Sequence, residues 1–173
     1  MTPTEMDFLM HDPARTRIVQ WEDPKALAAY IREYSGLDVF RKLMAGEGPP
    51  PPIMKLIGQT LEEVEEGRVV MKLEAGEWLY NPIGCVHGGA IATLLDSVMG
   101  CAVHTTLPKG RAYTSLEIKV NFLRAVTVET GAISAEGRAV HVGRRSAVAE
   151  GKAFDGAGKL VATSSTTCLV FDL

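Results

Sequence analysis

The sequence predicts an α+β fold in which a curved antiparallel sheet wraps around one long central helix, with a helical appendage at the N-terminal side. Three observations predict it. From Met54 onward only one long segment has helical periodicity, Gly88 to about Thr106. Its apolar residues Ile91, Leu94, Leu95, Val98, Cys101 and Ala102 recur at spacings of three and four. Two strand-like segments precede it and four follow, and one helix cannot cover both faces of six strands laid flat, so the sheet must curl around it. The helix is also rich in small residues (Gly88, Gly89, Ala90, Ala92, Gly100, Ala102), which let a sheet approach closely.

The elements follow in order. Residues 1–22 are mixed and aperiodic, and Met1–Gln20 lacks the apolar run behind basic residues that a signal peptide carries. Asp23-Pro24 is a helix start, with Asp as N-cap and Pro as first helical residue. Leu27, Tyr30, Ile31 and Tyr34 continue it, Ser35-Gly36 ends it, and Leu37 to Met44 suggests a second short helix. Gly46-Glu47-Gly48 and four prolines, Pro49 to Pro52, interrupt helix and favour an extended path. The boundary between appendage (1–52) and core (53–173) is placed there. Leu56–Val64 and Arg68–Glu74 read as strands around a Glu65-Glu66-Gly67 turn. After the helix, Tyr113–Phe122, Thr127–Val140 with a break near Gly137, Arg145–Phe154 and Lys159–Phe171 read as strands. Asp155-Gly156-Ala157-Gly158 is a hairpin turn between the last two.

A chain of 173 residues with 46% hydrophobic and 23% charged residues holds a real core. A net charge of −3 does not favour nucleic acid by bulk attraction. Three cysteines, Cys85, Cys101 and Cys168, are too few and odd in number for a disulfide framework, so a reduced cytoplasmic setting is expected. No window approaches 18 uncharged apolar residues, so no membrane span is expected.

Chemistry concentrates at the start and middle of the long helix. In His87-Gly88-Gly89 two poor helix formers open a helix, where unpaired N–H groups sit at the positive end of the dipole. A substrate carbonyl placed there would be polarised, with the Gly88 N–H as donor. The same glycines would equally serve close packing. Asp96 lies mid-helix among apolar residues, where an unpaired carboxylate is costly. It could attack a carbonyl or deprotonate a water that does. Gly88 and Asp96 are eight residues apart, roughly 12 Å along the axis at about 1.5 Å per residue. One reacting carbon cannot meet both from one chain. Two helices packed antiparallel about a two-fold axis would pair Gly88 of one copy with Asp96 of the other, which makes a homodimer the smallest active unit.

The run Asn-Pro-x-Gly-x-x-His-Gly-Gly-x-x-x-x-Leu-x-Asp, Asn81 through Asp96, resembles the phenylacetate-pathway (PaaI-type) branch of hot-dog-fold acyl-CoA thioesterases. With the order of strands and helix, the resemblance covers Met54 to Leu173. It implies that Asp96 is nucleophile or general base and that the Gly88 N–H is the oxyanion donor. Asn81 and His87 would orient the thioester and the water. Ser115, or its neighbour Thr114, would help hold the water, and Gly89 would lie against the substrate. Gly143-Arg144-Arg145 opens a strand beside a glycine bend, and guanidinium suits the phosphates of coenzyme A, which relatives bind near such a segment. On strand alternation only one of the two arginines faces a given side; Arg111, Arg124 and Lys152 are weaker candidates. The expected partners are an acyl-CoA with an aromatic or medium-chain acyl group and further copies of the chain, as a dimer or dimer of dimers. No cofactor is expected beyond the coenzyme A of the substrate.

Alternatives carry less. Cys85, His87, Cys101 and His104 have metal-ligand chemistry, but helical geometry separates the two pairs by more than roughly 15 Å. No Gly-x-Ser-x-Gly, Walker or Gly-x-Gly-x-x-Gly motif occurs. A hot-dog hydratase would want a His-Phe-Pro signature, which is missing. An acyl-CoA sensor would want a DNA-reading helix, and 1–50 has no clear one. A hot-dog enoyl-CoA hydratase or dehydratase and a non-catalytic acyl-CoA-binding protein are the alternative readings.

Overall fold

The computed structural model describes residues 15–173; most of the segment read as free of a signal peptide lies outside them. Helices α1 (Pro24–Glu33), α2 (Gly36–Met44) and α3 (Pro52–Ile57) precede strands β1 (Gln59–Glu65) and β2 (Arg68–Leu73). Helix α4 (Gly88–Thr105) follows, then β3 (Arg111–Phe122), β4 (Ile133–Val142), β5 (Ser146–Phe154) and β6 (Leu160–Asp172). All six strands form one antiparallel sheet in the order β1-β2-β4-β5-β6-β3. This is the hot-dog fold, with α4 as the helix inside the curl.

The core is the contact between α4 and the concave face of the sheet. Leu94, Leu95, Val98, Met99, Ala102 and Val103 are fully buried against Val69, Leu73, Ile133, Ala135, Ala149 and Val161. A cross-strand glycine pair, Gly137 on β4 and Gly151 on β5, lies under the middle of the helix. A Cβ at Gly137 would stand 2.2 Å from the Val98 carbonyl oxygen, and one at Gly151 would stand 2.5 Å from Ser164 Oγ and 3.1 Å from Met99 Cγ. The sequence reading took Gly137 as a break in a strand. Instead β4 runs through it, and the irregular stretch is the 3₁₀ turn Val128–Thr130 with Gly131 at φ 74°.

A second difference lies at the proline run. Pro51 is extended (φ −56°, ψ 140°), but Pro52 opens α3 as its first residue, where the missing N–H costs nothing. Leu56 and Ile57, read as strand, close this helix, and Gly58 caps it at φ 85°. The strand begins at Gln59. At the N-terminal end the expected devices form: Asp23 accepts from the Lys25 N–H at 2.9 Å, and Ser35, read as a helix end, is the N-cap of α2. Helix α2 packs on α4 and β1. A Cβ at Gly36 would overlap the His104 carbonyl at 1.8 Å, so glycine sets how closely α2 approaches.

Candidate active site

The N-terminus of α4 is built by the loop before it. Asn81 forms a side-chain turn, its Oδ1 accepting from the N–H groups of Ile83 (3.1 Å) and Cys85 (3.3 Å). The Val86 N–H donates to Val126 O at 2.8 Å and the His87 N–H to Leu79 O at 2.7 Å, which fixes where the helix starts. His87 is the N-cap, exposed, with its Nδ1 accepting from the Gly89 N–H at 2.8 Å. The Gly88 N–H takes no partner among the described residues. The Phe122 ring stands 3.1 Å from where a Gly88 Cβ would lie. Asn81, Cys85, Gly88, Phe122 and Arg124 line a cavity of about 360 Å³. Asn81 and Gly88 are thus together, while His87 and Gly89 are engaged with each other.

Asp96 lies two turns further along, partly buried, and the Ser115 hydroxyl donates to its Oδ1 at 2.8 Å. A β-bulge aims Ser115. Ser115 pairs with Cys168 but Glu117 pairs with Thr167, so Leu116 is an extra residue that re-phases β3 beside the carboxylate. Between the two neighbours left open by the sequence, Ser115 makes the bond. Thr114, exposed, lines a cavity together with Asp96 and Ser115 without bonding Asp96.

Asp96 faces two spaces. One is a cavity of about 560 Å³ that runs under the N-terminal helices and is also lined by Cys101, His104 and Tyr113. The other is an open cleft of about 340 Å³ between Ala92, Thr93 and the β3 residues Leu116 and Ile118. Burial raises the Cys101 thiol to about 12, with the Asp96 charge adding to the effect, so it stays protonated. Burial lowers His104 to about 4 and pushes the Tyr113 phenol well above its usual range. Asp96 is therefore the one charged side chain among the described residues lining the larger cavity.

Sequence reasoning did not place Tyr113, Cys101 and His104 in one cavity with Asp96. Tyr113 could have been found: it is two residues before Ser115 on one strand, hence on the same face. Its ring fits because position 100 is glycine; a Cβ there would stand 2.4 Å from the Tyr113 hydroxyl. Gly143, Arg144 and Arg145 form the β4–β5 connection, remote in sequence from both halves of the site. Both arginine side chains are exposed, and the Arg144 carbonyl accepts from Arg111. Among the described residues no three His, Cys, Asp or Glu side chains stand close enough to hold a metal ion. No helix among them is long and apolar enough to cross a membrane.

A sheet curled around one long helix defines the hot-dog fold, and the helix N-terminus with its free N–H and the carboxylate two turns on mark the candidate site. Comparison with known proteins agrees. The model of the Thioesterase superfamily matches residues 83–162. The 1,4-dihydroxy-2-naphthoyl-CoA hydrolase of Listeria monocytogenes is 29% identical over 118 residues, 68% of this chain and 94% of that enzyme. A phenylacetic acid degradation-related protein of Ralstonia eutropha JMP134 superposes with a TM-score of 0.69 at 30% identity, over 75% of this chain and 98% of that one. The smu.793 protein of Streptococcus mutans UA159, solved bound to acetyl CoA, gives a TM-score of 0.60 at 27% identity, over 66% and 89%. The chain belongs to the thioesterase superfamily, hot-dog enzymes that hydrolyse thioesters.

Proposed function

We propose that this protein is an acyl-CoA thioesterase that works as a dimer, or a dimer of dimers, in the cytoplasm. The carrying observation is the Asp96 carboxylate, held by Ser115 where an otherwise uncharged cavity meets an open cleft. An acyl group suits the cavity, and the pantetheine arm suits the cleft. The naphthoyl-CoA hydrolase and the acetyl CoA-bound neighbour make coenzyme A the natural carrier. The core, 53–173, carries the chemistry.

The reaction consumes one water. Asp96 either takes a proton from that water or attacks the carbonyl itself to give an anhydride that water then opens. In both routes the C–S bond breaks, coenzyme A leaves as its thiol and the acid is released. The developing oxyanion needs a donor, and the Gly88 N–H is free to be one. On the same helix it is roughly 12 Å away, so the donor comes from a partner copy. Strand β3 supports this assembly. It is an edge strand of 12 residues with its outer hydrogen-bonding side open and Leu116, Ile118 and Phe122 exposed. Pairing with its own copy would cover that edge and bring Gly88, beside Phe122, towards the partner's acid. In this arrangement Asn81, His87 and Gly89 shape the oxyanion end, Thr114 lies along the substrate, and Gly143, Arg144 and Arg145 receive the phosphates. Coenzyme A is part of the substrate, and the reaction calls for no other cofactor.

The test is a panel of acyl-CoAs read by release of free thiol. The expected result is turnover on apolar acyl groups that Asp96→Ala removes while leaving acyl-CoA binding intact. Turnover near wild type in Asp96→Ala would overturn the mechanism.

A further inference from the structure

The cavity beside Asp96 has a wall that the catalytic reading does not use. Its far side is made by Leu27 and Ile31 of α1, Leu43 of α2 and Pro51. Helix α1 buries no residue completely; Leu27 and Ile31, one turn apart, stay partly exposed because they face open space rather than packed core. The helix is nonetheless fixed. The Tyr30 hydroxyl donates to the Glu47 carbonyl, and Lys42 of α2 stands 4.8 Å from the centre of the Tyr34 ring at the helix's C-cap. An anchored helix that holds an apolar face over a void of about 560 Å³, in the size range of small-molecule pockets, is a preformed wall for an apolar ligand.

We infer that α1 and α2 form the acyl-selecting wall of the site, and that the enzyme selects apolar acyl groups of medium length, uncharged at their far end, by laying them under Leu27 and Ile31. The inference rests on the thioesterase reading, which puts the thioester at Asp96. Direction follows from chemistry. The cavity offers no Lys or Arg among the described residues that line it, so neither the phosphates of coenzyme A nor a distal acyl carboxylate finds a partner inside. Burial keeps His104, the remaining basic group, neutral. Each methylene that enters should tighten binding by roughly three- to four-fold until the wall is reached.

The experiment separates this inference from the reaction by using S-methyl-, S-butyl- and S-octyl-CoA thioethers, which cannot be hydrolysed, in equilibrium binding to the full chain. S-octyl-CoA is expected to bind at least tenfold more tightly than S-methyl-CoA, and a thioether ending in a carboxylate no more tightly than S-methyl-CoA. Ile31→Trp fills the space under α1 and should remove the octyl advantage while leaving S-methyl-CoA within twofold. Leu27→Trp serves the same purpose if Ile31→Trp does not fold. Equal affinity across chain lengths, or a loss in the variants that is the same for methyl and octyl, would overturn the inference. Chain-length-dependent binding without thiol release from any acyl-CoA would instead sink the thioesterase reading and leave the wall standing.

Discussion

The Ser115 hydroxyl donates to Asp96 Oδ1 at 2.8 Å across the joint between β3 and α4. The bond fixes one carboxylate oxygen, and in the proposed mechanism the other acts on water or on the thioester. Ser115→Ala should therefore lower kcat by about 10- to 100-fold through misplacement of the carboxylate, with little change in KM. Steady-state thiol-release kinetics check this. A change confined to KM would assign Ser115 to substrate binding instead.

Composite sites predict complementation. Gly88→Pro removes the N–H at the first helical position, where proline fits the helix, and His87 already has the extended backbone (φ −60°, ψ 134°) that precedes proline. A Cβ at this position would stand 3.1 Å from the Phe122 ring. Gly88→Pro and Asp96→Ala homodimers should each be inactive, whereas mixed dimers should regain up to half of one dimer's activity, because one of the two sites is then intact. Mixed dimers isolated by two affinity tags and found inactive would contradict shared sites.

The glycine pair under α4 predicts a stability effect far from the chemistry. At Gly137 a methyl group would sit 2.2 Å from the Val98 carbonyl oxygen, which belongs to helix backbone and cannot swing aside. Gly137→Ala should cost at least about 1–3 kcal/mol. Thermal unfolding should show a fall in Tm of several degrees, at about 2–4 °C per kcal/mol for a chain of this size. The exposed Gly84→Ala, with nothing within 4 Å but φ 82°, should cost about 1 kcal/mol through backbone strain alone.

His104 predicts the pH response. Burial holds it near 4, below the ordinary histidine value of about 6.5. Between those values the unfolded chain binds a proton that the folded chain refuses, so stability is full above pH 6.5 and falls as pH drops through this window. The loss should reach about 2 kcal/mol between pH 7.5 and pH 5. His104→Phe keeps a ring against Phe40 and Tyr113, both 5.6 Å away, and should abolish this part of the slope in urea unfolding. The salt-bridged acids Glu62 and Glu136, whose values are lowered, act at more acid pH and are common to both proteins.

What the sequence made legible was local. Asp23-Pro24 and the Gly88–Thr105 periodicity each carry their signal within a few residues, and both helices form there. Leu56-Ile57 carries no such signal, since two apolar residues fit helix and strand equally, and the decision falls to Pro52 and Gly58 on either side. Gly137 was misread because its reason is the backbone of a helix some forty residues earlier. At the site, Asp96 was conspicuous as a charge among apolar neighbours. Ser115 was left level with Thr114 because the bulge at Leu116 depends on pairing with β6. Leu27 and Ile31 were visible as one helix face, but what they face is a property of the folded chain.

The bulge has a consequence for what the open edge can accept. It divides β3 into two stretches, Arg111–Ser115 and Glu117–Phe122, out of phase by one residue. A stray extended chain can match one stretch but slips on the other, which blunts the edge as a template for runaway stacking. The irregularity that turns a hydroxyl towards a carboxylate thus also roughens the margin of the sheet against stray strands.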